Sequence, residues 1–270
     1  MKAAVVDRLG GVPHYQDYPD PTVEEGHVLI TVEAVAVANV DRAIVPAAYA
    51  QPIPEGIEPP VAAVLSSAIS AAMSLLVAAE FKTGETVLIQ GATGVAGRLA
   101  VKIARLLGAG RIVASGRDEG ALRDDTELGA DVVINTAVGD ADLERAFRDN
   151  AGDGYDVIVD YLWGRPTELL TRALIPETFA LRAPTRLVQI GESAGPPVQL
   201  SGDSVRTSGL EIYGAARNAA TGMAAAYQRV VDWVCAGELT IDVTTMPLSQ
   251  IEKAWTRTDL RGTRLVIIPD

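Results

Sequence analysis

From residue 86 onward, apolar runs and amphipathic stretches take turns along the chain. Short runs rich in Val, Ile and other β-formers fall at 86–90, 111–115, 131–135, 155–161, 185–191 and 210–214. Each is closed by glycine or polar residues, as strands are. Between them, apolar positions at helical spacing predict helices at 95–107, about 119–128, about 140–149, 166–174 and 221–236. Repeated strand–helix units predict an α/β fold with a doubly wound parallel sheet.

The first 41 residues differ. Extended, β-rich runs at 2–7 and 27–37 flank an irregular stretch, and no helical period appears between them. Residues 42–60 carry Pro46, Pro52, Pro54, Pro59 and Pro60, which predicts a connector of extended character. The uncharged stretch 60–79 follows, with Leu65, Ile69, Met73 and Leu76/Val77 at helical spacing opposite small residues. That pattern predicts a buried, close-packed helix and not a lipid-facing one. A helix at 248–255 and a strand at 263–268 close the chain. The expected domains are therefore 1–62 with 240–270, small and β-rich, and 63–239, the α/β part.

One stretch organises the rest: Glu-Thr-Val-Leu-Ile-Gln-Gly-Ala-Thr-Gly-Val-Ala-Gly at 85–97. A strand stops at Gly91, glycines recur at 94 and 97, and a long amphipathic segment begins. Strand, glycine turn, then helix aims backbone N–H groups and the positive end of a helix dipole at a phosphate. Glycines alone punctuate many turns; the strand before and the helix after make this a dinucleotide-binding candidate. Gly91, Ala92, Thr93, Gly94, Val95 and Ala96 are the residues expected at the diphosphate.

The tip of the second strand should read the adenosine ribose. An acid there accepts bonds from a 2′-hydroxyl, whereas arginine suits a 2′-phosphate. The chain has Gly116-Arg117, with small residues leaving room and a permanently charged guanidinium beside it. Asp118 stands one place too late and reads as a helix cap. This local chemistry favours NADP over NAD, with a solvated loop charge as the alternative for Arg117. Ligands of such sheets lie outside the carboxyl ends of the strands. Asn135 is then expected to border the adenine, with Tyr161, Leu162, Trp163, Ile190 and Gly191 at two further strand exits. Tyr161 and Trp163 could each equally be core aromatics.

Bulk composition narrows the chemistry. At 270 residues, with 48% hydrophobic and 21% charged residues, the sequence is that of a globular protein. A net charge of −12 without a basic cluster argues against nucleic acid or an anionic membrane. Cys235 is the one cysteine, and His14 and His27 the two histidines. No disulfide framework is possible, a reducing, cytoplasmic setting is expected, and no metal site is expected. The N-terminal residues lack the pattern of a signal peptide.

In order, these pieces resemble the medium-chain dehydrogenases/reductases of the zinc-independent quinone oxidoreductase type. The resemblance is carried by Met1-Lys-Ala-Ala-Val-Val, by Pro19-Asp-Pro21 with Glu25-Gly-His-Val-Leu-Ile, and by Asn39-Val-Asp41. Pro52-Ile-Pro-Glu-Gly56, Gln90-Gly-Ala-Thr-Gly-Val-Ala-Gly97, Leu128-Gly-Ala-Asp131 and Gly154-Tyr-Asp-Val-Ile-Val-Asp160 continue it. It implies a Rossmann-type sheet plus a GroES-like β domain, with NADPH as cofactor and a quinone, enone or similar conjugated carbonyl as acceptor. It also implies a homodimer formed through the edge strand 210–214, and Asn39 and Asp41 facing the substrate cleft. No zinc and no universal acid–base residue are carried over, so the catalytic residue is left unknown. One departure stands out: only 42–51 fills an interval that holds several strands in the family. The GroES-like domain is thus expected to be truncated, with the junction near 41–44.

Two other readings compete. A short-chain dehydrogenase needs a lysine four residues after its catalytic tyrosine, and none of the seven tyrosines has one. A chain that keeps the cofactor site but lacks half its catalytic domain could instead be an NADPH-binding or redox-sensing module without turnover.

Overall fold

The computed structural model describes residues 1–20, 22, 32–36, 53–176 and 183–270. The chain divides into two units, Met1–Ser66 with Thr240–Asp270, and Ser67–Leu239. The boundary sits at 66/67 where the sequence suggests 62/63. His27, Asn39, Asp41 and the junction near 41–44 lie outside the described residues.

In chain order the first unit opens with β1 (Lys2–Val5), β2 (His14–Asp17), β3 (Val35–Ala36) and α1 (Pro59–Ala62). Then comes α2 (Leu65–Ala72), which continues as a π-helical turn, Met73–Ala78. The second unit follows with β4 (Thr86–Gln90), α3 (Val95–Leu106), β5 (Arg111–Gly116), α4 (Glu119–Glu127), β6 (Val132–Asn135) and α5 (Asp140–Asp149). It goes on with β7 (Val157–Asp160), α6 (Gly164–Ala173), β8 (Thr185–Gln189), α7 (Gly202–Arg206), β9 (Leu210–Gly214) and α8 (Ala219–Cys235). β10 (Val243–Pro247), α9 (Ile251–Trp255) and β11 (Arg264–Ile268) return to the first unit.

The six strands β4–β9 form one parallel sheet in the order β6-β5-β4-β7-β8-β9. That is the doubly wound Rossmann order, with the switch point beside β4. The alternation of strand and helix read from the sequence is present throughout this unit, with ends shifted by a residue or two. The short α7 and the strand β10 carry too little periodic signal to be predicted. Under α5 and α6 lies one core cluster, where Leu88, Val113, Ile134, Ile158 and Leu187 from five strands meet Leu143, Phe147, Leu169 and Leu170. Tyr155 is enclosed there too, and its hydroxyl donates to Phe147 O at 2.8 Å.

In the first unit β1 pairs β2 antiparallel, while β11 pairs β10 parallel and β3 antiparallel. One cluster of its core is Ile251, Ala254, Leu265 and Ile267, with Ala4, Tyr15 and Met246 packed around them. His14 is exposed, and its Nδ1 lies 2.9 Å from Glu252 Oε1.

The helix at 65–78 is buried on more than the predicted stripe. Ala68, Ala71, Ala72 and Ala78 are fully enclosed alongside Leu75, while Leu76 and Val77 are only half-buried. The π-helical turn explains the change of phase. Ala79 N bonds Ser74 O at 2.9 Å, five residues back, which adds one residue to that turn. Its last carbonyls are met by arginines: Arg217 reaches Ala78 O at 2.5 Å and Arg186 reaches Ala79 O at 2.7 Å. Cations at a helix C-terminus satisfy orphan carbonyls and oppose the dipole.

The packing of α8 and the burial of one acid can both be tested by stability measurements. At Gly222 on α8 an added Cβ would stand 2.6 Å from Val77 Cγ2. Alanine in a helix is worth about 1 kcal/mol over glycine, but overpacking a stiff β-branched neighbour costs about 1–3 kcal/mol. Gly222→Ala should therefore lower unfolding free energy in urea titrations, and adding Val77→Ala should restore it; a stabilised single variant contradicts the contact. Asp125 on α4 is fully buried with neither carboxylate oxygen hydrogen-bonded, near Arg98 and Asp124. Burial raises its pKa from 3.8 to about 6, against the opposing pull of Arg98. A raised acid stabilises the fold below its unfolded pKa and loses that contribution as pH rises through the folded one. Asp125→Asn should accordingly be more stable than wild type by about 1–3 kcal/mol at pH 8. Thermal melts should show that gap closing between pH 6 and 4.

Candidate functional site

The loop between β4 and α3 uses each of its glycines for a different physical reason. Gly91 turns the chain at φ +80, where L side chains are strained. Its N–H and that of Ala92 both bond Ser115 O at 2.9 Å, which ties the turn to β5. At Gly94 a Cβ would meet nothing nearer than Gly91 O at 3.5 Å, so the outer side of the turn is open. At Gly97 a Cβ would lie 2.6 Å from Ala92 Cα, so this glycine lets α3 press against the turn.

The N-terminus of α3 opens on that turn. Arg98 N makes the first intrahelical bond, to Gly94 O at 2.9 Å, so the N–H groups of Val95, Ala96 and Gly97 precede it. No side chain caps this end and no acid stands in its first turn. By contrast, α4 is capped by Asp118, whose carboxylate accepts from Ala121 N at 3.0 Å, as the sequence suggests. An uncapped helix start behind an open glycine turn has the geometry and partial charge to receive a diphosphate.

Around it the carboxyl ends of five parallel strands bring the other candidates together. Leu162 and Tyr161 close over Gly91, where a Cβ would come within 3.0 Å of Leu162 Cδ2 and 3.3 Å of Tyr161 Cβ. Gly191 packs on Tyr161, since a Cβ there would be 2.6 Å from its carbonyl oxygen. Ile190 N and Gly191 N both bond Asp160 O, at 2.9 and 3.2 Å. The room beside Gly116 is filled by Thr93, whose Oγ1 would be 2.9 Å from a Cβ at 116. Arg117 is exposed at the tip of β5. Asn135 folds its side chain into the turn after β6, accepting from Ala137 N at 2.8 Å and donating to Glu119 Oε1 at 3.3 Å. Trp163 packs against the core below the sheet, and the Tyr161 hydroxyl is enclosed without a partner. Burial pushes that phenol up, so it stays neutral at working pH.

The sequence places Asp160 and Gln189 at two strand exits but does not show the polar row they join. Ser115, Gln90, Asp160 and Gln189 stand in register across β5, β4, β7 and β8, one polar row at the carboxyl end of an apolar sheet. The first three are completely buried. Thr167 on α6 joins them, donating to Asp160 Oδ2 at 2.6 Å and accepting from Gln90 Nε2 at 3.2 Å. Arg165, on the same helix, holds the turn after β6 through Thr136 O at 3.2 Å and Val138 O at 2.8 Å. A signal was available: several apolar runs end on a polar residue of the same phase.

Among the described residues no three His, Cys, Asp or Glu side chains are placed to hold a metal ion, and Cys235 is exposed. Among them, too, no helix is long and apolar enough to cross a membrane.

The zinc-binding dehydrogenase family matches residues 96–234. A probable NADPH-dependent quinone reductase of Emericella nidulans, tdiC, is 26% identical over 204 residues, which are 69% of this chain and 55% of that protein. The chain thus spans about half the length of this curated relative. The quinone oxidoreductase of Thermus thermophilus superposes with a TM-score of 0.71 at 24% identity, over 99% of this chain and 100% of its own. A mycobacterial quinone oxidoreductase gives 0.82 at 19% identity, over 100% of both chains. A mycobacterial structure complexed with NADPH gives 0.80 at 17%, again over 100% of both. At such identities these three share the fold. With about half its residues inside the family match, the chain belongs to the zinc-binding dehydrogenase family, in the quinone oxidoreductase-like part of the medium-chain dehydrogenase/reductase superfamily.

Proposed function

We propose that the chain is an NADPH-dependent oxidoreductase that passes hydride to a quinone, enone or related conjugated carbonyl, without zinc. The observation that carries this reading is the open turn at Gly94 in front of the uncapped N-terminus of α3. The donor set suits the cofactor. Backbone N–H groups of Val95, Ala96 and Gly97 would hold the diphosphate, and Arg117 would meet the 2′-phosphate as a planar, always-charged fork. Tyr161, Leu162, Ile190 and Gly191 would border the nicotinamide half, with Trp163 behind them on the core. NADPH supplies the hydride; the residues of this chain bind it, orient it and keep water from it. The relative from Emericella nidulans, named for NADPH-dependent quinone reduction, supports the acceptor class. The metal-free reading rests on the donor inventory, one cysteine and two histidines in the whole chain.

Asn39 and Asp41 remain proposed for the substrate side, and the small unit is proposed as the truncated GroES-like domain. A homodimer is proposed through β9, which closes the sheet at one edge and exposes Ile212. Unpaired edge strands need cover of some kind.

The test is a fluorescence titration with NADPH and NADH, followed by addition of a quinone while reduced-nicotinamide absorbance is monitored. NADPH should bind at least tenfold more tightly than NADH, and Arg117→Ala should remove most of that preference by weakening NADPH alone. Oxidation of NADPH on adding quinone supports the enzyme; binding without turnover favours a cofactor-binding module. Failure to bind either nucleotide sinks the reading.

Two loop variants separate binding from folding. Gly94→Val adds a side chain where only the ligand approaches, so binding should be lost while the melting temperature stays within a few degrees. Gly97→Ala meets the backbone of the turn, so both binding and stability should fall. Equal behaviour of the two variants would contradict the roles given to these glycines.

A further inference from the structure

The segment that closes over the glycine turn is held in an uncommon backbone shape. Trp163 sits at φ 54, ψ −161, and Gly164 follows at φ 60, with Ala194 O only 2.7 Å from where a Cβ would be. A tryptophan in that region persists only where its surroundings fix it. The fixing group is one carboxylate. Asp160 Oδ1 accepts from Leu162 N at 2.8 Å and Trp163 N at 3.0 Å. Its Oδ2 accepts from the Thr167 hydroxyl, which in turn accepts from Gln90. All three side chains are completely buried.

The direction of this chain of bonds is informative. Every donor points toward Asp160, so the carboxylate only accepts. At the far end Gln90 Oε1 is left without a partner, as is the Ser115 hydroxyl in register beside it. A buried amide oxygen without a donor is unfavourable. It also means that the chain of bonds could run the other way where residue 160 has a proton to give to Thr167, with Gln90 turned over and Thr167 donating to it.

We propose that Asp160 is a positioning residue for the dinucleotide site, which with Thr167 and Gln90 fixes the backbone of Leu162 and Trp163 and so sets where Leu162 lies against the glycine turn. The proposal rests on the reading that Gly91–Gly97 binds NADPH. Leu162 touches Gly91 and Tyr161 supports Gly191, so a shift of this segment moves two walls of the site together. Burial raises the Asp160 pKa, while the bonds from Thr167, Trp163, Leu162 and Gln90 favour its charged form. Ionised, the carboxylate can accept from both backbone N–H groups and from Thr167 at once.

The test is NADPH affinity in the full chain, by fluorescence titration, with melting temperatures recorded for each variant. Asp160→Ala should weaken binding at least tenfold. Asp160→Asn should stay within about threefold of wild type, because the amide can donate to Thr167, whose hydroxyl then donates to Gln90 Oε1. Gln90→Leu alone should cost little, since Thr167 still reaches Asp160. Asp160→Asn with Gln90→Leu removes the acceptor that the reversed chain needs, and should bind as weakly as Asp160→Ala. The pair keeps side-chain volume, so it remains informative even where the alanine variant fails to fold. If wild type binds and the double variant binds as well as Asp160→Asn, the proposal is overturned by itself. If wild type binds neither nucleotide, the cofactor reading falls and takes this proposal with it.

Discussion

The turn at Gly91 is the constraint on which the second unit depends. β4 is the strand beside the switch point of the sheet, so whatever ends it decides where the flanking loops can go. Two adjacent N–H groups, of Gly91 and Ala92, share the carbonyl of Ser115. That pairing fixes the turn to β5, forces the positive φ at Gly91, and starts α3 at a fixed height above the sheet. Gly97 then brings the helix onto the turn. Any side chain at 97 would break the contact, and any at 94 would fill the space left outside it. Ligand space and fold are set by the same few backbone atoms.

A second constraint is the polar row beneath that turn. Burying Ser115, Gln90, Asp160 and Thr167 in an apolar sheet is costly unless their bonds are made. Three of the four are linked, and the carboxylate additionally holds two backbone N–H groups of the strand exit. The row stops short of full satisfaction at Gln90 Oε1 and Ser115 Oγ. An apolar row would have packed the core as well; it could not have held Leu162 and Trp163 in place. Polar groups at this level are therefore explained by the loop they position, and not by stability.

Much of this is legible in the sequence, and for identifiable reasons. The six strands and five long helices of the α/β unit follow from a pattern that repeats strongly, and the glycine loop from its place between a strand and a helix. Asp118 as a cap needs only its position. What cannot be read depends on the third dimension. The π-helical turn at Met73–Ala78 changes the phase of a helix whose sequence looks regular, since Ala79 N bonds Ser74 O five residues back. Gly116 suggests room for a phosphate, but Thr93, distant by one crossover, fills that space. Tyr161 and Trp163 suit core and pocket equally by sequence, and in the structure they divide: Trp163 packs on the core, while Tyr161 supports Gly191. β10 escapes notice because its alternation is weak, and it is stabilised by a parallel partner, β11, that comes later in the chain.

The first unit is held together differently. Segments from both ends of the chain build it, since β3 pairs with β11 and α9 packs among residues of β1, β2 and β10. Among the described residues it buries Ala3, Ile57, Val64, Leu65, Ile241 and Val266 besides the cluster of Ile251, Ala254, Leu265 and Ile267. None of these is larger than leucine or isoleucine, and small cores leave little surplus over chain entropy. Joining distant segments adds the entropy of closing a long loop, although that cost grows only slowly with length.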